Sequence, residues 1–312
     1  MRAWAVMHEG FFVSAPRDCL RRFLFERHQV RGELVHLNKS FEMALANHPY
    51  AAHTASMLGQ SLGAVALLTS ILKFEGRLTL QLQSDGPLRL LVAQCTHLMN
   101  LRGLAQADED GGASDSLQDQ MADGRVVITI EPERGQRYQG IVPLEGDTLS
   151  ACLELYFERS EQLPTRLWLF ANAHSVFGML LQKLPQEAAK ATPPDVAAPD
   201  DDAWNRLTML ADTLSVEEIQ TLSDEQILHR LFHEEDVRLF DREPVSFRCS
   251  CSRERIADAL RGLGAQEVDA IIEEQNEIAT TCEFCNKRYV FDSVDAAALF
   301  QDAASGNSST AH

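Results

Sequence analysis

From Thr54 to Lys73 the chain reads TASMLGQSLGAVALLTSILK, and its apolar residues cover a broad helical face. That pattern predicts a helix ending before Gly76. The period then changes. In GRLTLQLQSDGPLRLLVAQC, Leu78, Leu80 and Leu82 alternate with polar residues, Ser84-Asp85-Gly86-Pro87 supplies turn chemistry, and an apolar run follows, so a hairpin is predicted. RVVITIEPERGQRYQGIVPL repeats the plan, with strands near 125–131 and 137–142. DTLSACLELYFERSE predicts a helix with Asp147 as N-cap, TRLWLFA a strand, and HSVFGMLLQKLP a further helix. Strands in hairpins separated by helices point to an α+β domain over residues 1–185, with antiparallel or mixed sheets and packed helices.

The patterning breaks after that. QEAAKATPPDVAAPDDDAW carries Pro193, Pro194, Pro199 and an acidic run, the composition of a flexible, solvated linker. Two short helices are predicted next, each opened by a capping box: Ser215 with Glu218, and Ser223 with Gln226. They are strongly charged with few large apolar residues, so they depend on docking for stability. The linker is expected over 186–240, a small C-terminal module over 241–300 and a disordered tail over 301–312.

Composition narrows the class. A chain of 312 residues suggests about two domains. The net charge of −18 argues against nucleic acid and anionic membranes as partners, because both require clustered Lys and Arg. MRAWAVMHEG has no apolar region after a basic start, and GAVALLTSIL is too short to span a bilayer. A cytoplasmic location is therefore expected, where thiols stay reduced and paired cysteines more often signal metal or redox chemistry than structural bridges.

Four of the seven cysteines fall in FRCSC and TTCEFC: Cys249, Cys251, Cys282 and Cys285. Cys19, Cys95 and Cys152 stand alone on apolar segments and read as small buried hydrophobes. The C-x-C and C-x-x-C pairs suit a tetrahedral zinc site of four thiolates. CEFCN fits a zinc knuckle, with Asn286 where the chain needs a left-handed residue, and KRYVF is the returning strand. The spacer predicts two helices broken at Gly262 and Gly264, with Ile256, Ala259, Leu260 and Leu263 lining one face and Val268, Ile271 and Ile272 the other. So small a core requires a staple such as Zn2+. The site could be purely structural, making the chain a zinc-ribbon binding or scaffold protein. It could also be a switch. Loop closure favours oxidation to Cys249–Cys251 and Cys282–Cys285, which would replace a tie between remote segments with two bonds that join nothing distant.

Other constellations carry less. GQSLG matches the nucleophile-elbow pattern around Ser61, but that motif needs a preceding strand and YAAHTASML predicts helix. His229 and His233 stand four apart, with Arg230 where a zincin has Glu. Neither nucleotide fingerprint occurs, and a thioredoxin-like use of Cys282 does not suit a hairpin knuckle. No enzyme activity is expected.

Several stretches together resemble the 33 kDa chaperonin family of bacterial redox-regulated heat-shock holdases. They are LTLQLQSDGPLRLLVAQ with LRGLA, YQGIVPLEGDTLSACLELYFERSEQLPTRLWL, GMLLQKLP, FRCSCSRERIADAL and CEFCNKRYVF, and they extend over nearly the whole chain. By residue-to-residue match, Cys249, Cys251, Cys282 and Cys285 would be the zinc-binding, redox-sensing thiols. The resemblance implies an ATP-independent chaperone for unfolding client proteins under oxidative stress, inactive when reduced and zinc-bound. It further implies that two near-neighbour disulfides unfold the zinc module and linker, promote a homodimer and expose client-binding surface. Asn286 stands where the family commonly has Gly, and HSVFGMLLQ is less rich in Gly and Ala than the family's version.

Overall fold

The computed structural model describes residues 18–46, 48–108, 116–185 and 202–305. The expected flexible stretch 186–201 and the extreme N-terminus lie outside them. The chain opens with β1 (Cys19–Phe25), β2 (Val30–Leu37), α1 (Lys39–Leu45) and α2 (Ala52–Ile71). Next come β3 (Gly76–Gln83), β4 (Leu88–Thr96), β5 (Asn100–Ala107), α3 (Leu117–Gln120), β6 (Arg125–Pro132) and β7 (Tyr138–Pro143). They are followed by α4 (Leu149–Tyr156) with a π turn (Phe157–Glu161), β8 (Thr165–Ala171) and β9 (Val176–Lys183). The remainder gives α5 (Ala203–Ala211), α6 (Val216–Thr221), α7 (Asp224–Phe232), β10 (Val237–Pro244), β11 (Ser246–Phe247), α8 (Arg253–Leu263), α9 (Ala265–Gln275), β12 (Ile278–Thr281), β13 (Arg288–Phe291) and α10 (Ser293–Ser305).

The chain divides into two compact units, one of Met1–Leu45 with Tyr50–Phe247, the other of Ala46–Pro49 with Arg248–His312. In the first, strands order β10-β1-β2-β9-β8 in one sheet and β11-β5-β4-β3-β6-β7 in another. Every pairing is antiparallel except β11 with β5. This is the expected α+β architecture. α2 is apolar nearly all round, and a helix of that kind must be covered on all sides. It packs against β2, β8 and β9 of one sheet and β3, β4 and β5 of the other. Leu58, Leu62, Val65 and Leu67 meet Val35, Val176 and Leu180 as well as Leu78, Leu80 and Leu91. Each such side chain contributes about 1.5–3 kcal/mol on burial. α2 is long and apolar enough to cross a membrane, longer than the run singled out in the sequence, but 83% of its most apolar 18-residue stretch is buried inside protein. Gly59 permits the close fit: a Cβ there would lie 2.8 Å from the Cβ of Ala171.

Several elements differ from expectation. HSVFGMLLQKLP forms β9, not a helix. β9 lies between β2 and β8 and is buried on both faces, so its apolar run shows no alternation to read. The N-cap of α4 is Thr148, whose hydroxyl accepts from Ala151 N at 3.2 Å, rather than Asp147. Both capping boxes of α6 and α7 are present as expected. The linker helices, however, carry more apolar surface than expected. Leu207, Ala211, Leu214, Ile227, Leu228, Leu231 and Phe232 are buried against the face of the first sheet that points away from α2. There they meet Phe23, Phe25, Leu34, Phe177, Met179 and Leu181. These helices belong to the first unit, and the strand β10 that follows them runs through the boundary expected at 240.

The last segment of the first unit is fastened. Val245 N donates to Asp18 O at 3.0 Å, Ser246 N to Met99 O at 3.0 Å and Phe247 N to Ser40 Oγ at 3.1 Å.

The second unit has a small core: Ala257, Leu260, Val268, Ile278, Tyr289, Phe291, Ala296 and Leu299. The helix break falls at Gly264, with φ of 95°, while Gly262 lies inside α8. Leu263 and Ala259 point outward, and Ala257 takes the inner position instead. The tail expected to be disordered from 301 begins inside α10, which runs to Ser305 and leaves 306–312 outside the described residues.

Candidate metal centre

Local chemistry shapes both cysteine pairs. Ser252 caps α8 by accepting from Arg255 N at 3.3 Å, which places Cys249 and Cys251 on the chain entering the helix. The Arg255 guanidinium folds back to donate to Ser250 O at 3.0 Å and Ser250 Oγ at 2.8 Å. The residue between the two thiols is thereby held from both backbone and side chain. Arg253 donates to Val290 O at 2.6 Å and to Asp295 at 2.6 Å while stacking 4.1 Å from the Phe291 ring. It ties the start of α8 to β13 and α10.

The second pair sits on the loop of the β12–β13 hairpin. Cys282 N donates to Lys287 O at 3.0 Å, and Asn286 N donates to Cys282 O at 2.7 Å. Asn286 is left-handed, with φ of 56°, as the knuckle requires. Asn suits this position because its side chain tolerates that region.

All four sulfurs lie within 4.8 Å of one another. Cys249 and Cys282 are 3.6 Å apart, and Cys251 and Cys285 3.4 Å. Sulfurs about 2.3 Å from a central ion at tetrahedral angles would be about 3.8 Å apart, so the set fits a four-thiolate metal site. The thiols are not equivalent. Burial pushes Cys251 up, but the Tyr289 hydroxyl, which donates to its sulfur at 3.1 Å, and the neighbouring thiols outweigh burial and bring it down to about 7. Burial and the adjacent sulfurs push Cys285 up to about 12, and burial also raises Cys249. The three cysteines outside the quartet are all raised, so Cys251 stands apart. Burial drives Cys19 up to about 11 and Cys95 up to about 12, and raises Cys152, as suits small core residues. Sequence reasoning gave Arg255 and Tyr289 no role, since their partners are fixed only by the folded module.

The other candidates dissolve. Ser61 is fully buried within α2 and follows no strand. His229 on α7 and His233 at its C-cap are both exposed, and among the described residues the quartet is the group of three or more ligand side chains able to hold a metal.

A second arrangement holds the linker helices on their sheet. The Asp224 carboxylate, at the start of α7, lies 2.9 Å from His36 Nε2, 3.6 Å from Arg242 Nε and 3.7 Å from Arg21 Nη1. Glu235 lies 2.8 Å from His28 Nε2 and 2.9 Å from Arg206 Nε. Burial pushes both carboxyls up, but these partners outweigh it and leave both below their ordinary values of 3.8 and 4.5. A carboxyl whose value is lowered on docking stabilises docking above its free value and loses that contribution as pH falls through the lowered one. Emission from Trp168 and Trp204, both at this interface, is therefore expected to hold steady from neutral pH to about 5 and to shift red below about 4. A red shift complete by about pH 6 would contradict the assignment.

Comparison with known proteins agrees with this geometry. A family profile described as Hsp33 protein matches residues 18–292. The 33 kDa chaperonin of Pseudomonas aeruginosa strain LESB58 is 47% identical over 298 residues, covering 95% of this chain and 99% of that protein. The protein of the same name from Nitrosococcus oceani is 48% identical over 286 residues, covering 92% and 95%. The crystal structure of a 33 kDa chaperonin from Thermotoga maritima superposes with a TM-score of 0.76 at 21% identity, covering 92% of this chain and 99% of that one, a similarity of fold.

Proposed function

Because the chain belongs to the Hsp33 family, we propose that it is a redox-regulated, ATP-independent holdase that binds unfolding proteins when oxidised and is idle when reduced and zinc-bound. The observation that carries this reading is the quartet, which draws together sulfurs 33 and 34 positions apart in a unit with a small core. Zinc, when bound, would supply the tie between those two segments.

Oxidation undoes the tie. Two peroxide molecules, one for each pair, would each take two electrons from two thiolates and, with two protons from solvent, be reduced to two waters, leaving Cys249–Cys251 and Cys282–Cys285 and freeing the metal. In the folded cluster the short sulfur contacts at 3.6 and 3.4 Å run across the segments. Once the unit loosens, chain entropy decides instead, and closing the local loops is favoured over the long ones by about 2 kcal/mol. The disulfides then offer a metal no thiolates, and the core alone is too small to hold the unit. The linker helices on the first sheet are the apolar surface available for clients. Their release exposes Phe23, Phe25 and Phe177 together with their own buried faces, while a net charge of −18 favours solubility.

Light scattering from an unfolding client, without nucleotide, tests this. The oxidised protein should suppress aggregation and the reduced protein should not; equal suppression by both would remove the redox switch. Peptide mapping of the oxidised sample should give the two local disulfides. A dominant Cys251–Cys282 bridge would sink the loop-closure account.

A further inference from the structure

Tyr289 sits on β13 opposite Thr280, with its ring in the core of the second unit and 5% of its surface exposed. Its hydroxyl reaches across 38 positions to donate to the Cys251 sulfur at 3.1 Å. The Lys287 ammonium lies 5.2 Å from the centroid of the ring. We propose that Tyr289 is a positioning residue that sets the reactivity of Cys251: its hydroxyl holds the sulfur as a metal ligand and damps its attack on electrophiles. The proposal rests on the metal-centre reading above and deepens it.

The physical reason lies in charge. Four thiolates around a divalent ion leave a net charge of about −2, and a hydrogen bond to one sulfur spreads part of it onto a neutral donor. The sulfur lone pair engaged by that proton is less available to an incoming electrophile. The neighbouring ammonium withdraws electron density from the ring and makes the phenol a better donor. Outer-shell partners of this kind typically change metal affinity by about 10–100-fold. The resulting asymmetry is built into the site. Cys251 receives a hydroxyl from the hairpin, whereas the segment carrying Cys249 is held through the Ser250 backbone and hydroxyl.

The test is Tyr289→Phe in the full chain, which keeps the buried ring and removes only the donor. Cobalt(II) loaded in place of zinc gives a sulfur-to-metal charge-transfer band. In Y289F this band should move to lower energy, with cobalt affinity lower by about tenfold. With the metal bound, so that the sulfur is a thiolate in both proteins, initial rates of alkylation by iodoacetamide, read by mass spectrometry, should rise about tenfold at Cys251 and stay unchanged at Cys249, Cys282 and Cys285. An unchanged band with unchanged Cys251 alkylation overturns the proposal. So does an equal rise at all four cysteines, which would mark general loosening rather than a lost donor. If Y289F fails to take up cobalt, Lys287→Ala serves instead: the band must move the same way by a smaller amount, and no movement overturns the proposal. Should the wild-type protein itself give no charge-transfer band, the metal-centre reading fails and this inference falls with it.

Discussion

In a chain carrying both Cys282→Ser and Cys285→Ser, metal content is expected to fall from about one ion per chain to nearly none, and the second unit is expected to lose its fold. Without the ion, α8, α9, the β12–β13 hairpin and α10 depend on the core around Val268, Ile278, Tyr289 and Phe291. A core of that size offsets little more than the chain entropy it must fix. A four-thiolate zinc site is worth on the order of 10–16 kcal/mol of apparent binding energy, which exceeds the stability of most whole domains. Losing two ligands removes most of that. Metal analysis with limited proteolysis gives the answer: cleavage should concentrate after Arg248 while the core around α2 persists. Full metal retention in the double variant would refute the assignment of these ligands.

The second large effect is expected from Phe232→Ala. Phe232 is 1% exposed at the end of α7, edge-on to Phe25 with centroids 5.0 Å apart, and 6.4 Å from Phe23. Truncating a buried Phe costs about 3–5 kcal/mol. Helices of six to nine residues, such as α5–α7, have almost no stability of their own, so docking bears nearly all of that loss. The reduced, metal-loaded variant should therefore lose hydrogen-exchange protection across α5–α7 and suppress client aggregation without any oxidant. Its metal content should not change, because the substitution lies outside the unit that holds the quartet. If protection is lost and the variant remains idle, the surface under these helices is not where clients bind.

What could be read from the sequence was what depends on neighbours along the chain. The quartet was legible as a group able to hold a metal because C-x-C and C-x-x-C spacings are local, and both capping boxes and both hairpins were legible for the same reason. The misreadings have a common cause. β9 looked helical because a strand covered on both faces loses its two-residue period. That the linker helices dock was expected, but the extent of their apolar face was not, because its residues are spread over three short helices and gather only once they lie on the sheet. Asp224 and Tyr289 gave no signal at all, since their partners are remote in sequence: His36, Arg21 and Arg242 for one, Cys251 for the other.

On the proposed reading, in which oxidation unfolds the second unit, the fastening at Val245, Ser246 and Phe247 would act as a clutch. A disordered chain tugs on its anchor through its own entropy, and after oxidation that tug would arrive at Phe247. Three hydrogen bonds from consecutive backbone amides, to Asp18, Met99 and Ser40, receive it before β10 does. While they held, the ladder between β10 and β1 would carry no load, and a brief opening around the cysteines would not engage the helices upstream. Three such bonds are worth a few kcal/mol at about 1 kcal/mol each. Engagement would therefore require a sustained disturbance, and momentary fraying would be filtered out.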